Sequence, residues 1–472
     1  MKRKISLSLA MLIAFSVLFS CGSNNTSTDQ TSGQESEEQQ SSETAPADPF
    51  EGKDLEGFTL RVLNVKGRLW NTMSVLDYDE INGDKVNDAV YNRNRLAEKK
   101  LNFTLEVTES PSDDTQKDFQ TVAAAGEDAY DAVFLMNEDI SSNVANGYLT
   151  NLMNVSSIDI SNPWWDTKFN QGLIMNKSLY GASSPAHLMC FDMTVACYFD
   201  KVILKKNGVD APYDLVRDGK WTYDEMLKIM NQCMNLNGDE KYSDKSGMNS
   251  TFGCSTFAGW LGVLATNAGS LVQLDDGVPY FAGANEKFYD SIDKLAEVFS
   301  GSGHTAGSGD LIYYDFFMTG RAAFCIISIG NAHVFRDMTD EYGILPTPKF
   351  DVSDSYNSMM GSAVMFSIPS TSQNAEKTGT AYDAISYYSY RDVMPVYYNS
   401  LCYKGLRDDD SVDMLGIISE SRAADLGRSY GFSIDFLNNL GGGILRGKPN
   451  TASSLERTKN QIVKKIDKFL EN

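Results

Sequence analysis

Apolar and polar positions are spread unevenly along the 472 residues. Ile5 to Ser20 is a run of 16 residues without a charge, and Gly22 to Pro49 is a polar tract of 28 without an aromatic residue. Beyond Glu51, apolar positions recur at strand and helix periods. TLRVLNV (59–65) alternates β-forming residues and predicts a strand. NGDKVNDAVYNRNRLAEKKLN follows, with Val86, Ala89, Val90, Leu96, Ala97 and Leu101 as a helical stripe and Asn82 as a candidate cap. FTLEV (103–107) predicts a second strand and DTQKDFQTVAAAGE a helix. YDAVFLM (130–136) predicts a third strand, with a helix running on into Gly147. This βαβαβα order, with near-continuous apolar strands, predicts a buried parallel sheet.

The pattern then changes. An irregular stretch carries NPWWD and SLYGASSP, and LMCFDMTVACYF (188–199) reads as a strand. Helical periods dominate from about 200 to 300. FMTGRAAFCIISIG returns to a short helix and a buried strand, YGILPTP and VMFSIPS are two more short strands, and helices resume from 374. Strand character appears early, recedes and returns. The order predicts two lobes, with the chain crossing between them more than once. No internal repeat is visible.

Lys2, Arg3 and Lys4 precede the first apolar run, which is shorter than the ~20 residues a spanning helix needs. A basic start, a short apolar core and a small residue at its end form the layout of an export leader over residues 1–20. LFSC, Leu18 to Cys21, resembles the bacterial lipobox. The resemblance implies that Cys21 becomes the first residue of the mature chain and carries lipid; the alternative is an uncleaved signal anchor. The tract that follows holds too little apolar surface to offset its ordering entropy. Residues 21–50 therefore read as a disordered tether, with a reach of roughly 30 Å from the 5–6 Å × √n rule.

About 420 residues remain, too many for one core and enough for two domains. Hydrophobic residues make up 42% of the chain and charged residues 22%, the balance of an ordinary globule. The formal charge is −22, and loss of Lys2, Arg3 and Lys4 with the leader makes it −25. Such a surface repels phosphate backbones and argues against nucleic acid as a partner. Besides Cys21 there are Cys190, Cys197, Cys233, Cys254, Cys325 and Cys402, with no CxxC spacing and mostly apolar neighbours. Buried free thiols are the expectation.

Several segments together resemble the family 1 extracellular solute-binding proteins, the maltose-binding-protein-like receptors of ABC importers. YDAVFLMNEDISSNVANGYLTNL is similar to that family's strand, helix and Gly-x-Leu-x-x-Leu. NKSLYGASSP is similar to its Gly-Lys-Leu-Tyr-Gly-x-Pro loop, and VACYFDKVILKKNGVDAP with DGKWTYDEML to its Tyr-Tyr-Asn-Lys to Thr-Trp-Asp-Glu segment. FMTGRAAFCIISIGN, YGILPTPKFD and FSIPSTSQNAEKTGTAYDAISYY match its later helix and strands, in the family's order, over about 57–400. Asp200 stands where the family usually has Asn. The resemblance implies an α/β, two-lobed periplasmic-binding-protein-like type II fold with hinge crossovers and a ligand cleft between lobes. It implies a monomeric receptor that delivers solute to ABC permease subunits. By segment order, lobe one takes 51–190 and 326–390, and lobe two takes 191–325 and 391–472. Crossovers are expected near His187–Met193, Cys325–Asn331 and Tyr390–Val396.

In open α/β sheets, ligands bind beyond the carboxyl ends of strands. The candidates there are Lys66, Arg68 and Trp70 after the first strand, and Asn137, Glu138 and Asp139 after the third. His187 and Asp192 lie near the first crossover, Phe257 and Trp260 in FGCSTFAGW, and Asn331 and His333 after the strand at 323–329. Planar aromatics beside carboxylates and amides suit a sugar, whose C–H faces pack on rings and whose hydroxyls need donors and acceptors. Each residue also has a plainer reading. Trp70 and Trp260 can equally be packing residues, and Lys66 and Arg68 can face solvent or meet a ligand carboxylate. Trp164 and Trp165 follow a turn at Pro163, and Trp221 precedes a capping box of Thr222 and Glu225. The loop NLNGDEKYSD (235–244) spaces oxygen donors as calcium loops do. It opens on Asn and lacks the closing Glu, so it reads as a solvated turn, and no metal or cofactor is expected.

The three histidines form no HExxH, and there is neither a GxSxG elbow nor a P-loop. GSGHTAGSG (301–309) follows a helix and so fails the dinucleotide context. The expectation is a non-enzymatic receptor, lipid-anchored outside the membrane, for an oligosaccharide. The alternatives are the same scaffold with a peptide or another charged solute, and a surface glycoside hydrolase or adhesion protein.

Overall fold

The computed structural model describes residues 47–67, 70, 72–307, 311–401, 406 and 408–471. The expected leader (1–20), Cys21, most of the expected tether, Arg68 and Cys402 lie outside them. Asp54–Asn472 forms one compact unit, distinct from Met1–Lys53. The described part of the latter, residues 47–53, is a turn in which Glu51 N–H donates to Asp48 O at 3.1 Å.

Strands β1 (Phe58–Asn64), β2 (Phe103–Glu109) and β3 (Ala132–Met136) lie where the apolar pattern predicts them. β4 (Val195–Asp200), β5 (Phe252–Ser255) and a hairpin of β6 (Val272–Asp275) and β7 (Val278–Phe281) come next. β8 (Thr305–Ala306), β9 (Ala322–Ser328), β10 (Tyr342–Leu345), β11 (Ser358–Met359), β12 (Val364–Ser367) and β13 (Arg422–Ala423) complete the strands. One sheet has the order β12-β3-β1-β2 and the other β10-β4-β9-β5-β8. In the first, β1 lies parallel to β2 and β3, and β12 runs antiparallel to β3. In the second, β4 is antiparallel to both β9 and β10. The α/β, two-lobed architecture is thus built on two mixed, open sheets.

Helix Lys85–Leu101 packs on β2, capped by Asp84 rather than Asn82: the Asp84 side chain accepts from the backbone N–H groups of Val86 and Asn87. Its Arg93 is fully buried and donates to Leu76 O at 3.1 Å, Ala186 O at 3.0 Å and Ser389 Oγ at 2.5 Å. Three distant segments are thereby fastened to one helix.

Two expectations change. The run 188–199 splits into a helical turn, Met189–Asp192, and β4. Asp192 N–H donates to Leu188 O at 2.9 Å. An apolar run buried on all sides does not reveal whether its period is 2 or 3.6. The second passage between sheets is also later than expected. β10 pairs with β4, so the chain leaves the second sheet after Leu345 and rejoins the first at Val364. The expected assignment of 326–390 to lobe one therefore fails for the end of β9 and all of β10. The reason is again pattern: a short buried strand carries no mark of the sheet it joins. Cys190, Cys197, Cys233, Cys254 and Cys325 are buried free thiols.

Candidate functional site

The site is built where two helices approach closely. In Ala258–Leu264, a Cβ at Gly262 would sit 2.6 Å from Leu437 O, and one at Gly441, in helix Ile434–Leu445, only 1.9 Å from Ala258 O. Glycine at both places lets the backbones touch. The contact fixes Trp260 and Val263 beside Asn438 on the wall of a cleft of about 510 Å³. That volume lies in the range of small-molecule sites.

Among the described residues, five aromatic side chains line the cleft. Phe257, at the head of the first helix, stands 5.8 Å from Trp260 in an edge arrangement and 5.1 Å from Tyr313. Trp260 is 7% exposed and its Nε1–H donates to the Tyr313 hydroxyl at 2.9 Å. Tyr314 stands edge-on to Tyr313 at 5.4 Å. Trp70 comes from the loop after β1, 55% exposed, with a left-handed backbone (φ 48°). That conformation costs a bulky residue about 1–2 kcal/mol. The polar lining is Ser328 at the end of β9 and Asn331 after it, Ser362 before β12, and Arg428 and Asn438 from the C-terminal helices. Asn331 Nδ2 donates to Ser328 Oγ at 2.8 Å. Both sheets therefore contribute, with the crossing residue Met193 between them.

Of the sequence candidates, Trp70, Phe257, Trp260 and Asn331 line this cleft. The other candidates among the described residues sit elsewhere. Lys66 is exposed and pairs with Asp113 at 3.3 Å. Asn137 is buried and exchanges hydrogen bonds with Ala363, each 2.9 Å. Glu138 accepts from Ser362 Oγ at 2.7 Å, one residue removed from the lining. Asp139 is largely buried, and burial together with the Glu138 and Asp114 charges pushes its pKa up to about 7. Asp192 and His333 border a second hollow of about 270 Å³, with Tyr397 and Arg336. His187 is buried against Asn64 and the Phe134 ring.

Trp221, Trp164 and Trp165 take structural places. Trp221 is fully buried and donates to Pro346 O at 3.0 Å, while Trp164 and Trp165 both donate to Asp383 Oδ1, at 2.6 and 2.7 Å. In the 235–244 loop, Asp239 accepts from the Asn249 and Ser250 backbone N–H groups. Among the described residues no group of three or more His, Cys, Asp or Glu is arranged for a metal.

Sequence reasoning missed Tyr313, Tyr314, Ser362, Arg428 and Asn438. It searched strand ends, whereas these enter from helices or from the residues before a strand. The adjacent tyrosines of LIYYDFF were the one available signal.

No family model matches the chain, and no curated protein matches it significantly. Solved structures do. An ABC substrate-binding protein of Listeria monocytogenes in complex with cycloalternan superposes with TM-score 0.58 at 15% identity, over 87% of this chain and 100% of its own. The galacto-N-biose/lacto-N-biose I-binding protein of a Bifidobacterium longum ABC transporter gives 0.59 at 11%, covering 88% and 99%. The GacH receptor of Streptomyces glaucescens, solved unliganded and with acarbose, gives 0.55 at 13%, covering 86% and 99%. Likeness at these identities establishes the architecture: the chain has the two-lobed α/β fold of the substrate-binding proteins of ABC transporters.

Proposed function

We propose that the protein is an extracytoplasmic receptor that captures a saccharide and hands it to an ABC importer permease. The observation that carries this reading is the cleft itself: aromatic rings together with amides and hydroxyls, drawn from segments of both sheets. Flat apolar faces with a few placed polar groups match a sugar ring. The fold neighbours named above, described as binding cycloalternan, lacto-N-biose and acarbose, support the same class.

The basic start, short apolar run and LFSC support export over residues 1–20, lipid on Cys21 and a tether over 21–50. No helix among the described residues is long and apolar enough to cross a membrane. The strand pairing supports lobe one as 51–190 with β12 and helix Ala375–Tyr388, and lobe two around β4, β5, β8, β9 and β10. Ligand closes such lobes only by binding the closed state more tightly than the open one.

A glycoside hydrolase needs two carboxyl groups at the scissile bond. No Asp or Glu is among the described residues of the lining, which favours binding over hydrolysis. Thermal melting against mono- and oligosaccharides, amino acids and short peptides tests the reading. A ligand at 100 times its Kd stabilises by about 2.7 kcal/mol. A shift with saccharides alone supports the proposal, and a shift with peptides alone overturns its ligand class.

A further inference from the structure

The charge of the cleft runs against the charge of the chain. The protein has 63 Asp and Glu against 41 Lys and Arg. Yet among the described lining residues there is no carboxylate, and the one charged side chain is a cation, Arg428. Neutral-sugar hydroxyls could be read by Asn331, Asn438 and the serines alone. The guanidinium is an additional group for them to leave unexplained.

Arg428 is 5% exposed. Its Nε and Nη1 meet no hydrogen-bond partner among the described residues, and its Nη2 makes only a long contact to Ser362 Oγ, 3.4 Å. Two carboxylates lie nearby, and neither meets the guanidinium in a hydrogen bond. Glu138 Oε1 takes the Ser362 hydroxyl at 2.7 Å while its Oε2 is buried without a partner among the described residues, and Asp425 Oδ1 takes the backbone N–H of Arg428 at 2.7 Å. Both favour the cation through space, while burial, the larger influence, lowers its pKa and also raises that of Asp425. A guanidinium stays protonated in a protein. Buried donors without acceptors are unfavourable, and the planar fork fits a carboxylate by two parallel hydrogen bonds. The long-range negative field of the body is screened beyond about 8 Å at physiological ionic strength, so the nearest charge decides.

We infer that the cleft takes an acidic saccharide, whose ring carboxylate is received by Arg428 while its rings lie against Trp70, Phe257 and Trp260. The inference rests on the saccharide reading above and names the class of sugar: uronate-bearing oligomers.

The test is isothermal titration of the protein with di- to tetrameric galacturonate, glucuronate and mannuronate, and with the matching neutral galactose, glucose and mannose oligomers. The expected result is at least tenfold tighter binding of one uronate series than of its neutral counterpart, weakening as salt rises. Arg428→Gln should abolish that preference, weakening uronate binding at least tenfold more than it weakens neutral-sugar binding. Arg428→Lys keeps the charge without the fork and should give an intermediate loss, so the inference stays testable if the glutamine variant folds poorly. Equal binding of acidic and neutral oligomers, or equal loss of both in the variants, overturns the inference and leaves the saccharide reading standing. No binding of either series, with peptides bound instead, overturns both.

Discussion

The Tyr397 hydroxyl donates to Asp192 Oδ1 at 2.5 Å, while Asp192 Oδ2 accepts the Met73 backbone N–H at 2.5 Å. Asp192 is 1% exposed and stands just before β4, Met73 follows β1, and Tyr397 lies in helix Met394–Leu401. Gly330, after β9, completes the junction, since a Cβ there would come 2.7 Å from Asp192 Cγ. One buried carboxylate thus joins four segments where the two sheets meet. A charged acceptor with strong donors holds such a junction in one geometry. Tyr397→Phe should lower stability by about 1–3 kcal/mol, the range for a buried acceptor deprived of a partner. It should also loosen the hinge. Urea unfolding and small-angle scattering check the two parts, and a variant unchanged in both would remove Asp192 from this role.

Trp70 and Trp260 separate binding from folding. Trp70 is more than half exposed, so Trp70→Ala should leave stability within about 0.5 kcal/mol while weakening saccharide binding by about 2 kcal/mol or more, as for an aromatic anchor. Trp260 is nearly buried, and Trp260→Ala should lower stability by about 3–5 kcal/mol as well as binding. If Trp70→Ala binds as the parent does, the cleft is not the ligand site.

The loop NPWWD is held by charge. Arg422, buried, pairs with Asp166 at 2.5 Å and donates to Thr194 Oγ1 at 2.5 Å and Cys190 O at 3.0 Å. Breaking a buried pair from one side leaves an uncompensated charge. Asp166→Ala should therefore lower stability by about 3–5 kcal/mol by denaturant titration. A loss below 1 kcal/mol would mean that the pair is screened by water.

Two buried groups give pH dependences of opposite sign. Burial, with the Arg93 charge, lowers the His187 pKa to about 3. The unfolded chain then binds the extra proton between pH 6.5 and about 3, so this contribution is complete above pH 6.5 and drains away on acidification. Burial raises the Asp200 pKa to about 7, with Asp340 adding to it, although Asp200 caps the helix after β4 through Ile203 N–H at 2.8 Å. Here the folded state holds the extra proton, and stability declines as pH rises from about 4 to 7. Asp200→Asn keeps a capping side chain and removes that decline. Urea midpoints at pH 4, 5.5 and 7 should show the variant gaining on the parent as pH rises, and a constant difference would contradict the assignment.

The strands and the first helices were legible because their periods are clean. β2, with Phe103 and Leu105 buried and Thr104 and Glu106 exposed, alternates in the sequence as it does in the fold. Pattern was silent on which sheet a short buried strand joins, as β10 shows, and on the helical turn at Met189–Asp192. The site was half legible. Trp70, Phe257, Trp260 and Asn331 follow the ends of strands, where ligands are expected. Tyr313, Ser362, Arg428 and Asn438 reach the cleft through tertiary contacts, and the two-helix approach at Gly262 and Gly441 leaves no local signature. Asp192 and His333, read as ligand candidates, border a separate hollow with Tyr397 and Arg336 instead of the cleft.

The most direct measurement is calorimetric titration of the protein with an oligosaccharide panel, followed by chromatography of the recovered sugar. Saturable binding with the sugar recovered intact, and its loss in Trp70→Ala, is the predicted result. Shortened sugar in the recovered fraction, or binding confined to peptides, would contradict the account of this protein as a saccharide receptor.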